Sequence, residues 1–191
     1  MKKLVLFSLC AIACAVCSAQ KIISDRSENN LRFVSTNEFN QGGIATTDTR
    51  LTYSVVATAT LDTTYYLCVH VYSYTSVYAS RSKLLVRCGN GEVLELQSTQ
   101  EDEHDRVGDY STLTGFTTYN VNLLYELDYD DIPSLCTGMS KIRVGVVQNG
   151  TDMFEREFSE KQCKRLASKF TEAFRNIDNS LANSRGFSDG F

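Results

Sequence analysis

The sequence predicts a mainly β protein, either an antiparallel β-sandwich or a strongly bent sheet, with a C-terminal amphipathic helix packed on it. Short segments in which apolar and polar residues alternate run from Leu31 to Phe158, which is typical of half-buried strands. From Ser159 onward the apolar residues recur with a period of 3.6 instead, which is typical of a helix with one buried face. Many strands followed by one helix favour a layered antiparallel fold.

Residues 1–19 have the order of a secretory signal peptide. Two lysines precede an apolar run over residues 4–16, and small residues follow it. We therefore expect cleavage before Gln20 and an exported mature chain that resides in the periplasm, at the cell surface or outside the cell. Lipidation of Cys14 or Cys17 is the alternative, but the residues before Cys14 match a lipidation motif only imperfectly and those before Cys17 match it poorly, so a lipid anchor is not expected.

Residues 20–182 have the size of one domain, and the polar, glycine-containing residues 183–191 predict a flexible tail. The net charge of −4 includes two lysines of the leader, so the mature chain carries about −6. That sign opposes binding to phosphates, and nucleic acid is not an expected partner. No later segment approaches the roughly 20 apolar residues that a transmembrane helix needs, so none is expected in the mature chain.

The predicted elements follow one another along the chain. Besides a tyrosine-rich strand within residues 65–78, six segments are predicted strands: residues 51–59, 83–88, 92–97, 119–127, 141–147 and 152–158. Gly89-Asn90-Gly91 and Gln148-Asn149-Gly150 tolerate positive φ and therefore predict two hairpins. Pro133 and the acids before it predict a short helical turn that ends near Gly138. The amphipathic helix is predicted over residues 159–182.

Four cysteines remain once the leader is removed: Cys68, Cys88, Cys136 and Cys163. An even number of cysteines in an exported domain favours disulfides. Local pairing of Cys68 with Cys88 and of Cys136 with Cys163 is the first choice. Four buried free thiols are the alternative, because a free cysteine is often a small core hydrophobe.

No catalytic motif supports an enzyme, so we expect a non-catalytic domain without a cofactor or a metal site. The sequence contains no HExxH and no phosphate-binding glycine loop, and its one CxxC lies in the leader. Residues 186–190 match GxSxG but lack the strand before them and the acid and histidine after them. Cys68 and His70 share a strand face, yet a strand centre is a poor place for an exposed nucleophile. A hydrolase with unrecognised carboxylates stays open, since any two acids could converge.

Tyrosines are concentrated in one predicted strand, with five of the ten inside residues 65–78. Alternation places one set of side chains on a single face: Tyr66, Cys68, His70, Tyr72 and Tyr74. The apolar residues between them take the other face. If the apolar face is in the core, the tyrosine face is outward and could stack on sugar rings or contact a protein partner. The alternative is that the terminal helix covers it. Tyr66, His70, Tyr72 and Tyr74 are the candidate binding residues.

Several of these segments together resemble a group of exported domains. The hairpin KLLVRCGNGEVLEL at residues 83–96, the strand at 119–127, GMSKIRV at 138–144 and the final helix are similar to small exported β-sandwich-like domains common in Bacteroidetes. Those domains have no settled function, so the resemblance implies a fold and a habitat but no activity. We expect an exported domain that binds a glycan or an exported protein partner. A hydrolase and an inhibitor or immunity-type protein are the alternatives.

Overall fold

A computed structural model describes residues 20–28, 31–41, 49–99, 108–111, 115–148 and 153–188. The predicted signal peptide, the Asn149-Gly150 turn and the last three residues of the predicted tail lie outside these ranges.

The described residues form two antiparallel sheets, which confirms the predicted mainly β fold. The strands are β1 (Ile22–Glu28), β2 (Leu31–Thr36), β3 (Thr49–Ala59), β4 (Thr63–Ser73), β5 (Val77–Cys88), β6 (Val93–Gln97), β7 (Gly108–Ser111), β8 (Phe116–Leu127), β9 (Met139–Gln148) and β10 (Phe154–Glu157). The first sheet has the order β1-β2-β3-β4-β8-β7, and the second has the order β10-β9-β5-β6. One of the sheets is strongly curled into a half-barrel.

Two helices accompany the sheets in the described chain. α1 (Asp131–Leu135) is the predicted short turn, and α2 (Glu160–Ser188) is the predicted terminal helix. Ser159 begins α2 with a capping box, because its N–H donates to Gln162 Oε1 at 2.9 Å while the Gln162 N–H donates back to Ser159 Oγ at 3.4 Å. α2 runs past the predicted end at residue 182 because no proline interrupts it, so residues 183–188 of the predicted tail are helical.

Two glycines fix the connections around the second sheet. Gly91 has φ +90° in the turn between β5 and β6, which confirms the first predicted hairpin. Gly138 has φ +89° after α1, where a Cβ would lie 2.2 Å from the carbonyl oxygen of Cys163. A side chain at Gly138 would therefore collide with the first turns of α2. β9 and β10 pair as the second predicted hairpin requires.

The core lies between the sheets and under α2. Leu67, Val69 and Val71 of β4 are fully buried, so the apolar face of this strand points inward as predicted. α2 contacts β1, β2, β3 and β9, and it buries Phe170 and Ile177. Burying a large apolar side chain contributes roughly 1.5–3 kcal/mol, so this stripe holds α2 on the sheets. Among the described residues, no helix is both long and apolar enough to cross a membrane.

The predicted disulfides are not formed, because all four described cysteines are free thiols. Cys68 is on the outward face of the first sheet and Cys88 is at the end of β5 in the second sheet, and both are buried. Cys136 hydrogen-bonds to Thr171 of α2, while Cys163 lies eight residues earlier on the same helix, or about 12 Å along its axis. Proximity in the sequence does not bring either pair within bonding distance.

Candidate functional site

The outward surface of the first sheet carries a patch of interacting polar side chains that we call the polar face. Its members are Glu38, Arg50, Thr52, Ser54, Cys68, His70, Tyr72 and Asn122. Strand register assembles them, because directly opposed residues of antiparallel strands share a face. His70 of β4 lies opposite Thr52 of β3 on one side and Asn122 of β8 on the other.

A single β-bridge brings Glu38 to this surface. Phe39 pairs with Tyr53 of β3 and its ring enters the core, 5.0 Å from that of Phe170 measured between centroids. Side chains alternate along an extended chain, so Glu38 points the opposite way, toward the polar face.

α2 packs on the other side of the sheet from the polar face. The Tyr65 hydroxyl donates to Asp178 of α2 at 2.5 Å, and its ring lies 6.0 Å from that of Phe174. Tyr65 precedes Tyr66 on β4, so the two side chains point to opposite faces. The tyrosine face is therefore the outward one, and the expectation that the helix covers it is wrong.

His70 is the centre of the polar face. Its Nε2 lies 2.9 Å from Ser54 Oγ, and its Nδ1 lies 2.8 Å from Asn122 Oδ1. The Asn122 carbonyl oxygen is an acceptor, so Nδ1 carries the proton in this arrangement and Nε2 accepts from Ser54. Both ring nitrogens are thus engaged, which fixes the orientation of the imidazole on the sheet.

Glu38 connects His70 to Tyr72. The Tyr72 hydroxyl donates to Glu38 Oε1 at 2.8 Å, Thr52 donates to Oε2 at 2.5 Å, and Oε1 lies 3.8 Å from His70 Nδ1. Burial alone would raise the pKa of Glu38, but the hydrogen bonds from Thr52 and Tyr72 outweigh it and lower the pKa. The carboxylate is therefore ionised at neutral pH.

Tyr72 has less free ring surface than its exposed position suggests. The guanidinium carbon of Arg50 lies 4.8 Å from the ring centroid, so one face of the ring is occupied by a cation. Burial and the hydrogen bond to Glu38 raise the pKa of Tyr72 to about 12. Tyr72 therefore acts as a protonated donor that holds Glu38, rather than as an open stacking platform.

Cys68 is poorly suited to nucleophilic chemistry. Burial raises the pKa of its thiol to about 11, so almost none of it is thiolate at neutral pH. Its Sγ lies 4.0 Å from His70 Nδ1, but Asn122 already occupies that nitrogen. The predicted proximity of Cys68 and His70 is real, and it does not activate the thiol.

The structure joins two of the four predicted binding residues. His70 and Tyr72 share Glu38. Tyr66 is four residues from His70 along β4, or about 13 Å, and lies opposite Glu126 near the other end of the strand. Tyr74 follows the last residue of β4 and is 60% exposed. Of the four predicted binding residues, His70 and Tyr72 therefore form one cluster, and Tyr66 and Tyr74 lie apart from it at the two ends of the strand.

The sequence analysis missed the partners that complete the cluster. Ser54, Thr52 and Asn122 are the polar residues of two strands with clear alternation, so their outward orientation was visible in the pattern. Which strands lie beside β4 was not visible. Glu38 gave no signal, because it follows β2 in a segment without regular alternation.

Comparison of the chain with protein-family models, with curated proteins and with solved structures finds no match in any of the three. In the described part of the chain, no group of three or more His, Cys, Asp or Glu side chains is arranged to hold a metal ion. What the fold and the site define is therefore a class only: an antiparallel β protein with a terminal helix and a hydrogen-bonded polar face.

Proposed function

We propose that this chain is an exported, non-catalytic domain that binds a glycan through the polar face. The observation that carries the proposal is the continuous set of contacts within the polar face that runs from Glu38 through His70 to Asn122. Each of these side chains is held in place by the others. Preorganised polar groups lose little conformational entropy when a ligand binds. Such a set of fixed polar groups suits a ligand with many hydroxyl groups.

The exposed residues of the polar face supply the hydrogen-bond donors and acceptors that sugar hydroxyls require. Glu38 is an ionised acceptor, Arg50 is a donor, and the Asn122 amide has N–H donors besides the oxygen that His70 uses. Tyr74 adds an exposed ring beyond the end of β4, where the apolar face of a sugar could stack. The signal peptide expected at residues 1–19 supports an exported location.

The direct test is a glycan array probed with the wild-type mature domain and with N122A. Asn122 is exposed on β8, but its Oδ1 accepts the His70 Nδ1 proton, so its truncation should cost about 1 kcal/mol and leave the domain folded. We expect it to weaken glycan binding about fivefold or more, which corresponds to losing one good hydrogen-bonding group. Q97A is the matched control, because Gln97 is an exposed amide on β6 of the other sheet.

The outcome separates three possibilities. Binding that is weakened by N122A and not by Q97A supports the proposal. Equal weakening by both variants, or binding unaffected by either, places the ligand elsewhere and rejects the polar face. If no glycan binds and a single envelope protein co-purifies with wild type but not with N122A, the polar face is a protein interface instead.

A hydrolase is the second candidate, and one geometry favours it. Ser54, His70 and Asn122 have the donor and acceptor order of a nucleophile, a general base and an orienting amide. Against it, Ser54 is only 6% exposed and lies mid-strand, where it pairs with Cys68 of β4 and where the next N–H along the chain, that of Val55, donates to Thr36 Oγ1. Such pairing occupies the backbone N–H groups that would stabilise an oxyanion.

Labelling with a fluorophosphonate probe distinguishes the two functions. The binding proposal predicts no covalent adduct on Ser54 after prolonged exposure to the probe. An adduct that maps to Ser54 by mass spectrometry and disappears in S54A and in H70A would establish an activated serine and favour the hydrolase.

A further inference from the structure

A small cleft lies where β4, α1 and α2 meet, on the side of the sheet opposite the polar face. Its volume is about 80 Å³, and it is lined by Tyr65, Tyr129, Ile132, Pro133, Phe174 and Asp178. Most of a drug-sized ligand would not fit, since such sites are several times larger. A space of this size accommodates one functional group.

Three aromatic rings form the walls of the cleft. The Tyr65 ring is steeply inclined to both of its neighbours: 62° to Phe174 with centroids 6.0 Å apart, and 61° to Tyr129 with centroids 6.5 Å apart. Tyr65 and Phe174 are buried, whereas Tyr129 is 77% exposed. The cleft therefore has a fixed floor and one wall that stands free in solvent.

One carboxylate lies among these rings. Asp178 accepts the Tyr65 hydroxyl proton in a 2.5 Å hydrogen bond, which holds both groups in place. Asp128 and Asp130 flank Tyr129 in the sequence and add negative charge beside the outer wall. Aromatic faces carry negative electrostatic potential, so rings and carboxylate together favour a cation.

We propose that this cleft binds the quaternary ammonium group of a choline-type ligand. A primary ammonium brings three N–H donors that need acceptors, and the side chains of the cleft supply a single carboxylate already engaged by Tyr65. A quaternary ammonium has no N–H donor and a weakly hydrated apolar surface. The apolar surface of a quaternary ammonium suits the side chains that line the cleft, which are those of Tyr129, Phe174, Ile132 and Pro133. Its positive charge is stabilised by the aromatic rings and by Asp178.

This site goes beyond the proposed glycan-binding function and does not depend on it. Tyr65 and Tyr66 are neighbours on β4, but they face opposite sides of the sheet. A variant of the polar face such as N122A should leave the cleft unchanged, and variants of Tyr129 should leave glycan binding unchanged.

The test is a titration of the mature domain with choline chloride, followed by isothermal calorimetry and by NMR shifts of the Tyr129 ring. The control ligand is 3,3-dimethylbutan-1-ol, which has the same shape without the charge, and the ionic strength is held constant with KCl. We expect choline to bind about tenfold more tightly than the neutral alcohol, as a cation held by aromatic rings should. Equal affinities, or no saturable binding of choline, would overturn the proposal.

Variants of the exposed wall test the mechanism without risk to the fold. Y129L keeps apolar bulk and removes the aromatic face, so it should weaken choline binding about fivefold. Y129F keeps the ring and should bind within about twofold of wild type. If Y129L binds choline as tightly as Y129F, the rings do not recognise the cation and the site is not the one proposed.

Two sources could present this group, and a second arm separates them. Sedimentation with phosphatidylcholine vesicles, compared with phosphatidylglycerol vesicles, tests a lipid headgroup. Pelleting with the first vesicles only, lost in Y129L, identifies the lipid as the source. Choline binding without pelleting identifies a free metabolite. The absence of both rejects the site.

Discussion

The two sheets present outward surfaces of opposite character, although both arise from the same alternation of residues along strands. On the first sheet, the polar face holds short side chains in a half-buried network centred on His70. On the second sheet, long charged side chains form a ladder of ion pairs across β9 and β10, in which Lys141 and Arg143 both contact Glu155 at 2.5 Å.

The charged surface of the second sheet is more exposed than the polar face. The side chains of Lys83 and Glu95, which form a further pair on the second sheet, are 60% and 50% exposed. Exposed pairs of this kind contribute little, because water screens the charges and two long side chains must be held still. The polar face uses Ser54 and Thr52, which are nearly covered and have little conformational entropy to lose.

The comparison shows which kind of sheet surface is suited to specific binding. A ladder of exposed charges keeps the surface solvated and can be rearranged at little cost. A network that is fixed by mutual hydrogen bonds has one geometry, and that geometry is costly to disturb. This difference is why the polar face, rather than the ladder, is the candidate site.

The largest expected effect comes from breaking the network at its centre. H70A leaves the nearly buried Ser54 hydroxyl without its imidazole partner and should lower the free energy of unfolding by about 2–3 kcal/mol. R143A breaks the ladder at a comparable central position and should cost less than about 1 kcal/mol. Urea denaturation of both variants measures the difference.

A double variant checks whether the loss in H70A comes from the hydrogen bond. If it does, S54A/H70A should be more stable than H70A alone, because removing the Ser54 hydroxyl also removes the unsatisfied buried group. Strictly additive losses, or a cost for R143A as large as that for H70A, would show that the two surfaces do not differ as described.

A second, smaller effect on stability is expected from removing single tyrosine hydroxyls in the core, which separates the contribution of hydrogen bonding from that of burial. Tyr65 and Tyr53 are both buried, but the Tyr65 hydroxyl donates to Asp178 while the Tyr53 hydroxyl has no partner among the residues that the structure describes. Y65F should therefore cost about 1–2 kcal/mol, and Y53F should be neutral or slightly stabilising. Thermal unfolding of the two variants gives the comparison, and a costly Y53F would mean that a bound water satisfies this hydroxyl.

Much of the fold could be predicted because its signals are local. The period of two over residues 51–59 and 119–127, the period of 3.6 after Ser159, and Gly91 in its turn each depend on residues that are close in the sequence. These signals predicted seven of the ten described strands, the terminal helix and one hairpin turn, whereas β1, β2 and β7 were not among the predicted segments. The end of α2 was missed because no residue between 182 and 188 forces a helix to stop.

The site was harder to predict because it is assembled across strands. Asn122 meets His70 from 52 positions away along the chain, and only the order β3-β4-β8 brings them together. The disulfide prediction failed for the same reason, since the spacing of Cys68 and Cys88 does not reveal that they belong to different sheets. Alternation tells which way a side chain points, and strand order tells what it meets.

The smallest expected effect is a dependence of stability on pH through Glu38. Its pKa is lowered in the folded protein because hydrogen bonds from Thr52 and Tyr72 outweigh the effect of burial. A carboxyl group with a lowered folded pKa stabilises the protein above its unfolded pKa, and this contribution is lost as the pH falls through the folded value. E38Q should therefore be less stable than wild type at pH 7 by less than about 1 kcal/mol, because the carboxylate is partly exposed, and the gap should narrow at pH 3. Melting curves at both pH values measure this change, with E95Q of the exposed Lys83–Glu95 pair on the second sheet as the control. A gap that stays the same at pH 3 would mean that the charge of Glu38 does not stabilise the polar face, and that its role there is only that of a neutral acceptor.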